Sequence, residues 1–299
     1  MATDWEYDRD FVELIARVAF YEYGLRTHVV EPANLQETID RYRDGSLDFN
    51  FFYDRGSDTS PEFMELNDLA ARDNVPILDS MQQLKWASDK ATMHLEFIAN
   101  GLRAPYTIII PPHTKQPALY LSEVDLAKLG SSFIIKPANT TGGGIGVIEG
   151  AETNQDILKF RQEFKDDKYL LQERIEPLAK DGKRFWFRGF FCCGLVTCSW
   201  WDPRLHIYEL LTPEHVEMYR LEELYSLVEK ISRIIRLNFF STEIALNGQG
   251  QFIFIDYVNE VCDMRLKSKH GDGVPDQIVT QIAKKIAAHV KVNKKIRTC

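Results

Sequence analysis

The sequence of 299 residues has no long hydrophobic run, no excess of basic residues and no CxxC cysteine pair. Its formal net charge is −8, which argues against broad nucleic-acid binding because that function needs a basic surface. No apolar segment approaches the length of about 20 residues that a membrane-spanning helix requires. The N-terminus, MATDWEYDRD, is acidic where a secretory signal would be basic. We therefore expect a cytoplasmic protein without membrane or nucleic-acid partners.

The cysteines give no sign of a disulfide framework or of a metal centre. They are odd in number, and four of them lie in or beside apolar runs that read as strands. Reduced thiols within a core are the favoured interpretation, ahead of a metal or redox role. The five residues are Cys192, Cys193, Cys198, Cys262 and Cys299.

Helical and strand patterns alternate in the first part of the chain. Helices are predicted over 8–23, 33–44 and 58–73, and strands over 25–30, 47–54 and 75–78. This alternation predicts βαβ units and a parallel sheet. No strand pattern precedes the first helix, so the expected first strand is missing or the chain is shortened at its start.

The rest of the chain mixes strands and helices, with more antiparallel pairing towards its end. Ser88 or Asp89 as N-cap and Gly101 as C-cap delimit a helix over 88–100. Further helices are predicted over 154–165, 214–235 and 275–290, and strands over 107–110, 168–175 and within 183–201. Together with the parallel sheet predicted for the first part of the chain, these elements predict a mixed α/β (α+β) fold.

Residues 133–147 read FIIKPANTTGGGIGV, a strand that ends at Lys136 and is followed by a glycine-rich loop. Glycines allow backbone N–H groups to approach an anion closely, and the two threonines add hydroxyl donors. In a P-loop the lysine follows the glycines, and in a dinucleotide site a helix starts on them; neither holds here. The segment is therefore either a hairpin flap over phosphates or a glycine-rich surface hairpin.

Residues 239–258 are predicted to form a hairpin around an Asn-Gly turn. Side chains alternate along a strand, so Glu243 and Asp256 lie on one face as diagonal neighbours, about 7–8 Å apart. Two acids in an otherwise apolar hairpin are costly to bury unless a cation lies between them. Their oxygens suit Mg²⁺. Alternatively, both acids are solvated or are paired with arginine.

These motifs, in this order, resemble the ATP-grasp superfamily over about residues 85–290. The resemblance rests on Lys136 with its glycine loop, on LLQERI at 170–175, on a downstream arginine strand, and on Glu243, Asp256 and Asn259. LLQERI and KRFWFRGFF are most similar to the ribosomal-protein-modifying glutamate ligases. The family implies a pre-ATP-grasp βαβ domain at 1–84, a lid subdomain at 85–176 and a C-terminal subdomain at 177–299. In that fold, the two α+β subdomains clasp ATP.

The resemblance also implies ATP contacts. The two lysines would meet the phosphates, with Lys90 at the α-phosphate, and the glycine flap would cover the β- and γ-phosphates. Gln172 and Glu173 would line the adenine edge, the backbone of Ile175 would bond the base, and Asp181 would meet the ribose. The implied ATP-binding residues are Lys90, Lys136, Thr140, Thr141, Gly142, Gly143, Gly144, Gly146, Gln172, Glu173, Ile175 and Asp181.

For catalysis, the resemblance assigns Mg²⁺ or Mn²⁺ to Glu243, Asp256 and Asn259. Arg188 matches an arginine near the γ-phosphate or the acceptor, although an ion pair across the sheet is its alternative role. Lys136 and Arg188 would act with Arg265, which is placed to stabilise a negatively charged tetrahedral intermediate.

The last metal ligand departs from the family pattern. Asn259 follows Asp256 by three positions, where most relatives have an asparagine two positions on, and in a regular strand it would face the other way. A bulge at the strand end would restore it. Otherwise, Glu260 or Asp263 could take its place.

The expected activity is that of an ATP-dependent carboxylate–amine ligase with an acylphosphate intermediate and a small-molecule or peptide acceptor. An ATP-grasp kinase acting on a hydroxyl is the alternative, and a nucleotide-binding module without catalysis is a third class. The basic run at 264–273 could bind an anionic acceptor or be a solvated loop. A homodimer is possible, since dimers are common in the superfamily.

Overall fold

The computed structural model describes residues 1–139 and 144–295. Its contacts divide the chain into two compact units. The first unit comprises Met1–Leu84, Gly189–Ser241 and Glu260–Cys299, and the second comprises Lys85–Arg188 and Thr242–Asn259. The division into three consecutive segments remains a prediction. Within the described residues, no helix is both long enough and apolar enough to cross a membrane.

The N-terminal part forms the predicted parallel sheet, in the order β1–β2–β3. Its elements are β1 (Ala2–Thr3), α1 (Arg9–Tyr23), α2 (Leu35–Arg43), β2 (Phe52–Arg55), α3 (Met64–Arg72), β3 (Ile77–Leu78) and α4 (Met81–Ser88). The expectation of a missing first strand was wrong, because Ala2 and Thr3 pair with Asp54 and Arg55. Two residues are too few to show a sequence pattern. The predicted strand over 25–30 contributes only an isolated bridge at Val30.

The central part forms an antiparallel sheet in the order β4–β7–β5–β6. Its elements are α5 (Lys90–Ala99), β4 (Thr107–Ile110), α6 (Glu123–Leu129), β5 (Phe133–Pro137), β6 (Ile148–Ala151), α7 (Asn154–Phe160), β7 (Tyr169–Glu173), β8 (Ala179–Lys180) and β9 (Lys183–Arg184). Phe133, Ile135 and Leu171 pack in its core. Strands β5 and β6 pair as predicted for a hairpin that begins at the lysine strand.

The C-terminal part contributes a five-stranded sheet in the order β12–β11–β10–β13–β14. Its elements are β10 (Trp186–Cys192), β11 (Leu195–Asp202), β12 (Ile207–Leu210), α8 (Pro213–Tyr219), α9 (Glu222–Ile235), β13 (Phe239–Leu246), β14 (Phe252–Asn259) and α10 (Asp276–Asn293). The helix predicted over 214–235 is two helices, because Arg220 takes a left-handed conformation with φ of 55° that ends α8. The predicted hairpin is present as β13 and β14.

Local sequence accounts for the better-defined helices. In α9, Leu224, Val228, Ile231 and Ile235 recur at helical spacing, and all four are buried. Helix α5 begins at Lys90 because the Asp89 carboxylate caps it, accepting 3.0 Å hydrogen bonds from the N–H groups of Ala91 and Thr92. This cap determines where Lys90 lies.

Candidate functional site

The second unit brings the start of helix α5 to the end of strand β5. The N–H of Lys90 donates a 3.0 Å hydrogen bond to the carbonyl oxygen of Ala138, two residues after Lys136. Lys168 reinforces the helix start, since its Nζ lies 2.5 Å from the capping carboxylate of Asp89. Both predicted phosphate-binding lysines are therefore held by backbone contacts in one region of this unit.

Lys136 is a buried cation with both acidic and basic side chains near it. Its side chain is largely enclosed, its Nζ donates to the carbonyl oxygen of Ile255 at 3.0 Å, and it lies 5.3 Å from the ring centroid of Tyr257. Burial lowers its pKa from 10.5 to about 8, and the nearby carboxylate of Asp256 partly opposes this shift. Lys90 lowers the pKa further and Glu243 raises it. The two predicted lysines and the two predicted carboxylates therefore share one electrostatic environment.

A hydrogen-bonded network lies under Lys136 that sequence reasoning missed. Nε2 of Gln172 donates to the hydroxyl oxygen of Tyr257 at 2.9 Å and to that of Thr107 at 3.0 Å. The Tyr257 hydroxyl also lies 2.7 Å from Nδ1 of His94. Gln172 thus donates to Tyr257, and the histidine tautomer sets which partner donates in the contact between Tyr257 and His94.

Two effects hold His94 in the neutral state. Its pKa falls from 6.5 to about 4, first because it is buried and second because the positive charge of Lys136 is close. The sequence signal for this network was a tyrosine beside Asp256 in an apolar strand, and it was not recognised. The side chain of Gln172, predicted at the adenine edge, bonds within this network.

Glu243 is held by two donors on strand β10. Nη2 of Arg188 lies 2.8 Å from its Oε1, and Nε1 of Trp186 donates to its Oε2 at 3.2 Å. The side chains of Arg188 and Glu243 are only 9% and 13% exposed. Of the alternatives for this acid, pairing with arginine is the one observed.

The donor set on β13 and β14 suits a hard cation. Within the ranges that the structure describes, no group of three or more His, Cys, Asp and Glu is arranged to hold a metal ion. The predicted ligands would not count as such a group, because only Glu243 and Asp256 are of these types. The third predicted ligand is the amide oxygen of Asn259. Tyr257 and Val258 are both buried, whereas Asp256 and Asn259 on either side of them are partly exposed. All three donors are oxygens, which Mg²⁺ accepts together with water and phosphate. The assignment of Asn259 remains a prediction.

The described part of the glycine loop shows why glycine is needed at one position. Gly146 has φ of 74°, and a Cβ there would lie 2.6 Å from Cε2 of Phe164 and 3.3 Å from Cγ of Pro137. Gly144 also has a positive φ, of 81°, but open space around it. The other predicted flap residues, Thr140, Thr141, Gly142 and Gly143, lie outside the described residues.

The residues predicted around the adenine and ribose lie along β7 and the turn that follows. Glu173 accepts a 2.7 Å hydrogen bond from the N–H of Tyr106, and Ile175 follows the strand half-buried. Asp181 is exposed at the tip of the β8–β9 hairpin, with φ of 53°, and Gly182 next to it has φ of 73°. Positive φ at both positions of a two-residue turn favours the sequence Asp-Gly, which is the sequence found here. Their roles towards ATP remain predictions.

Arg265 lies in the first unit, where acids surround it. Its Nη2 is 2.7 Å from Asp263 and 2.9 Å from Asp272, and the bond to Asp263 is the main cause of its raised pKa. Asp263, the alternative metal ligand, is thus engaged by Arg265. In the same basic run, Lys267 donates to the carbonyl oxygen of Tyr208, and Lys269 pairs with Asp10. These cationic side chains therefore all have hydrogen-bond or ion-pair partners within the first unit.

Of the comparisons with known proteins, only the one with solved structures found matches to this chain. No family model matches the sequence. No curated protein matches it either.

Several solved structures match almost the whole chain. A RimK domain ATP-grasp protein from Sphaerobacter thermophilus is 18% identical with a TM-score of 0.66, covering 97% of this chain and 98% of that one. D-alanine–D-alanine ligase from Bacillus anthracis, complexed with ATP, is 14% identical with a TM-score of 0.61, covering 99% and 98%. Macrocyclase MdnC from Microcystis aeruginosa, bound with precursor peptide MdnA, is 11% identical with a TM-score of 0.59, covering 98% of each chain. At these identities the likeness establishes the fold, which is mixed α/β and ATP-grasp, as the sequence resemblance predicted.

Proposed function

We propose that this chain, which has the ATP-grasp fold, is an ATP- and Mg²⁺-dependent carboxylate–amine ligase. The observation that carries the proposal is the environment of Lys136. It is a buried cation close to Asp256, Glu243 and Lys90, so that groups for phosphate and groups for a metal ion meet in one place. A buried lysine with a lowered pKa next to acids is characteristic of functional sites.

In this proposal the lysines bind the triphosphate. Lys90 meets the α-phosphate from the first turn of α5, where the helix N-terminus also favours negative charge. Lys136 reaches the phosphates from the end of β5, and the glycine flap covers them. Closure of the flap would exclude water that would otherwise hydrolyse a reactive intermediate.

Glu243, Asp256 and Asn259 would hold Mg²⁺ or Mn²⁺ in the proposal. When bound, the metal ion neutralises charge on the triphosphate. Arg188 and Trp186 keep the Glu243 carboxylate in one orientation, because each of its oxygens already accepts a hydrogen bond. Arg188 thereby brings a permanent positive charge next to the metal ligands, where the γ-phosphate would lie.

The proposed reaction has two steps. An oxygen of the acceptor carboxylate attacks the γ-phosphorus, the bond from phosphorus to the β–γ bridging oxygen breaks, and ADP leaves. An amine then attacks the acylphosphate carbon, the C–N bond forms, the C–O bond to phosphate breaks, and the amine loses a proton. Lys136 and Arg188 stabilise the negative charge in the first step, and we assign Arg265 to the tetrahedral intermediate of the second.

The acceptor is proposed to be a small molecule or a peptide. Among the structural neighbours are a D-alanine–D-alanine ligase and a macrocyclase bound with a precursor peptide. These neighbours suggest which substrates to test first, namely amino acids, dipeptides and longer peptides with free carboxylates.

The test is a measurement of ADP and free phosphate released by the purified chain with Mg-ATP, in the presence of amino acids, peptides and polyols. Release of both products only when a carboxylate and an amine are present supports the ligase. ADP without free phosphate, together with a phosphorylated polyol, would establish a hydroxyl kinase instead. No turnover, with ATP still bound, would favour a nucleotide-binding module.

Asp256→Asn is the matched variant for this assay. It keeps the size of the side chain and removes the charge that a metal ion requires, so we expect Mg²⁺-dependent turnover to fall by at least about 100-fold. The control is Asp166→Asn on the exposed surface of the same unit, which should leave turnover unchanged. Full activity of Asp256→Asn would rule out this aspartate as a metal ligand.

A further inference from the structure

Tyr257 has contacts in the candidate site but no role in the proposed reaction. It lies on β14 next to Asp256, and its side chain is fully buried. The face of its ring is directed at Lys136, whose Nζ lies 5.3 Å from the ring centroid. An ammonium group within about 6 Å of a ring centroid is attracted by the negative face of the ring, most strongly where water is excluded. The ring is therefore a direct electrostatic partner of the lysine.

The direct contacts of the Lys136 ammonium group are neutral. Its Nζ donates to the carbonyl oxygen of Ile255 at 3.0 Å and lies over the Tyr257 ring. In the part of the chain that the structure describes, no carboxylate oxygen comes within 4.0 Å of Nζ, although Asp256 and Glu243 act on it from further away. A carboxylate in direct contact would neutralise the ammonium charge, whereas a carbonyl oxygen and a ring face stabilise that charge and leave it in place. Since an ammonium group has three N–H donors and Ile255 accepts one, donors remain for phosphate oxygens.

The Tyr257 ring is itself held in place by buried neighbours. Its hydroxyl oxygen accepts a 2.9 Å hydrogen bond from Nε2 of Gln172 and lies 2.7 Å from Nδ1 of His94. Phe97, on α5, packs edge-to-face against the ring, with centroids 5.2 Å apart and an interplanar angle of 74°. Gln172 and His94 are only 1% and 4% exposed. The ring therefore cannot turn away from Lys136 without breaking buried hydrogen bonds, and unmade buried hydrogen bonds are costly.

We propose that Tyr257 is a positioning residue of the ATP site. Its fixed ring and the carbonyl group of Ile255 hold the Lys136 ammonium group in one orientation, in which the charge stays available for the triphosphate. This inference rests on the proposed phosphate role of Lys136. A free lysine side chain loses rotamer freedom when it binds a phosphate, and a lysine that the fold already holds loses less. Tyr257 thus raises ATP affinity by acting through Lys136.

The first test compares the ATP affinity of the wild type, Tyr257→Phe and Tyr257→Leu by calorimetry. Phenylalanine keeps the ring and loses the hydroxyl contacts with Gln172 and His94, whereas leucine loses both. A cation–π contact at a desolvated site predicts that Tyr257→Leu binds ATP about five- to tenfold more weakly and that Tyr257→Phe stays within about twofold of the wild type. Both variants should lose stability in urea, because both lose the hydroxyl contacts. An ATP affinity that follows stability and not the ring would contradict the proposal.

Two controls accompany these titrations. Tyr120→Leu, at a tyrosine of the same unit that is 76% exposed, should leave ATP affinity unchanged. Tyr257→Met is a second non-aromatic variant, for use if Tyr257→Leu folds poorly, and should bind ATP as weakly. Each titration is run with Mg²⁺ and again with EDTA. An effect through Lys136 persists in EDTA, whereas an effect seen only with Mg²⁺ would mean that the variants act through the neighbouring Asp256, and would overturn the proposal.

The second test is a double-mutant cycle with Lys136→Met. In that background Tyr257→Leu should change ATP affinity by less than about twofold, because the interaction that it removes is already absent. A loss as large as in the wild-type background would refute the positioning role. Weaker binding by Lys136→Met with normal binding by Tyr257→Leu would also refute that role, and would leave the proposed function intact. Unchanged affinity in Lys136→Met, or no ATP binding by the wild type, would instead remove the phosphate role of Lys136 and the positioning role with it.

Discussion

Nη2 of Arg188 lies 2.8 Å from Oε1 of Glu243, and both side chains are almost fully buried. A carboxylate that the sequence marks as a metal ligand is thus also the ion-pair partner of the arginine expected near the γ-phosphate. The pair holds the acid in one orientation in a buried environment. Because both side chains are buried, removal of either one would leave the charge of the other buried without its partner.

The first prediction concerns this ion pair. Arg188→Met leaves the Glu243 charge buried without its arginine, so the free energy of unfolding should fall by about 3–5 kcal/mol. Glu243→Gln should have a similar effect. The double variant should lose less than the sum of the two, because no buried charge is then left alone. Urea denaturation of the four proteins measures these values.

A matched control is the exposed pair of Arg233 and Glu229, whose side chains are 74% and 52% exposed. Arg233→Met should cost no more than about 0.5 kcal/mol, because exposed pairs are screened by water. Strict additivity of the two changes at Arg188 and Glu243 would mean that the pair contributes no coupling energy.

The second prediction separates stability from binding at Lys136. Its pKa of about 8 lies below the ordinary 10.5, so at pH 7 the folded chain holds a charge that burial disfavours. Lys136→Met should therefore leave the free energy of unfolding unchanged or raise it by up to about 2 kcal/mol. ATP affinity, measured by calorimetry, should fall by about tenfold or more.

Lys128→Met, at an exposed lysine of the same unit, is the control and should change neither quantity. Unchanged ATP affinity in Lys136→Met would remove the phosphate role of this lysine and of the flap behind it. A large loss of stability would show that its hydrogen bond to Ile255 outweighs the desolvation.

The third prediction is a pH dependence of stability from His94. In the unfolded chain this histidine takes up a proton near pH 6.5, whereas in the folded chain it does so only near pH 4. Between these values the unfolded state binds more protons, so stability falls as the pH falls from 6.5 to 4. The loss should be on the order of 2 kcal/mol.

Urea denaturation at pH 7, 6, 5 and 4.5 measures this loss, and His94→Gln provides the comparison. Glutamine can still form a hydrogen bond with the Tyr257 hydroxyl, as donor or acceptor, but does not titrate, so the variant should lose much of the acid sensitivity. An identical pH profile in the variant would assign that sensitivity to other groups.

The fourth prediction concerns the glycine loop. Gly146→Ala introduces a Cβ within 2.6 Å of Phe164 at a positive φ, whereas Gly150→Ala meets open space at a similar φ of 79°. Both changes incur the left-handed strain of about 1 kcal/mol, but only the first adds a clash, for a further 1–2 kcal/mol or so. Thermal unfolding of both variants isolates the difference. Equal losses would show that the Phe164 ring moves aside freely.

Patterns that repeat over a few residues were sufficient to predict much of the fold. The alternation of helices and strands predicted the parallel N-terminal sheet, and the Asn-Gly turn predicted the β13–β14 hairpin. These features depend on local backbone preference and on the periodicity of apolar side chains, both of which are properties of consecutive residues. Strand β1 was not predicted, because two residues are too few to show a periodic pattern.

The candidate site was predicted as a set of residues but not as a set of contacts. The order of Lys136, its glycines and the later acids along the chain indicated which residues belong to the site. That Arg188 pairs with Glu243, or that Tyr257 bonds His94, does not follow from spacing, because the partners are 55 and 163 residues apart in the chain.

The sequence alone was therefore sufficient for most secondary-structure classes, the parallel start, the hairpins and the residue types available for phosphate and metal. The charge states and the partners of those residues arise only when the chain packs. Burial of Lys136 and the contact between His94 and Tyr257 are examples. Both kinds of property depend on desolvation and on distances between remote segments, and these are set by tertiary packing rather than by neighbouring residues in the chain.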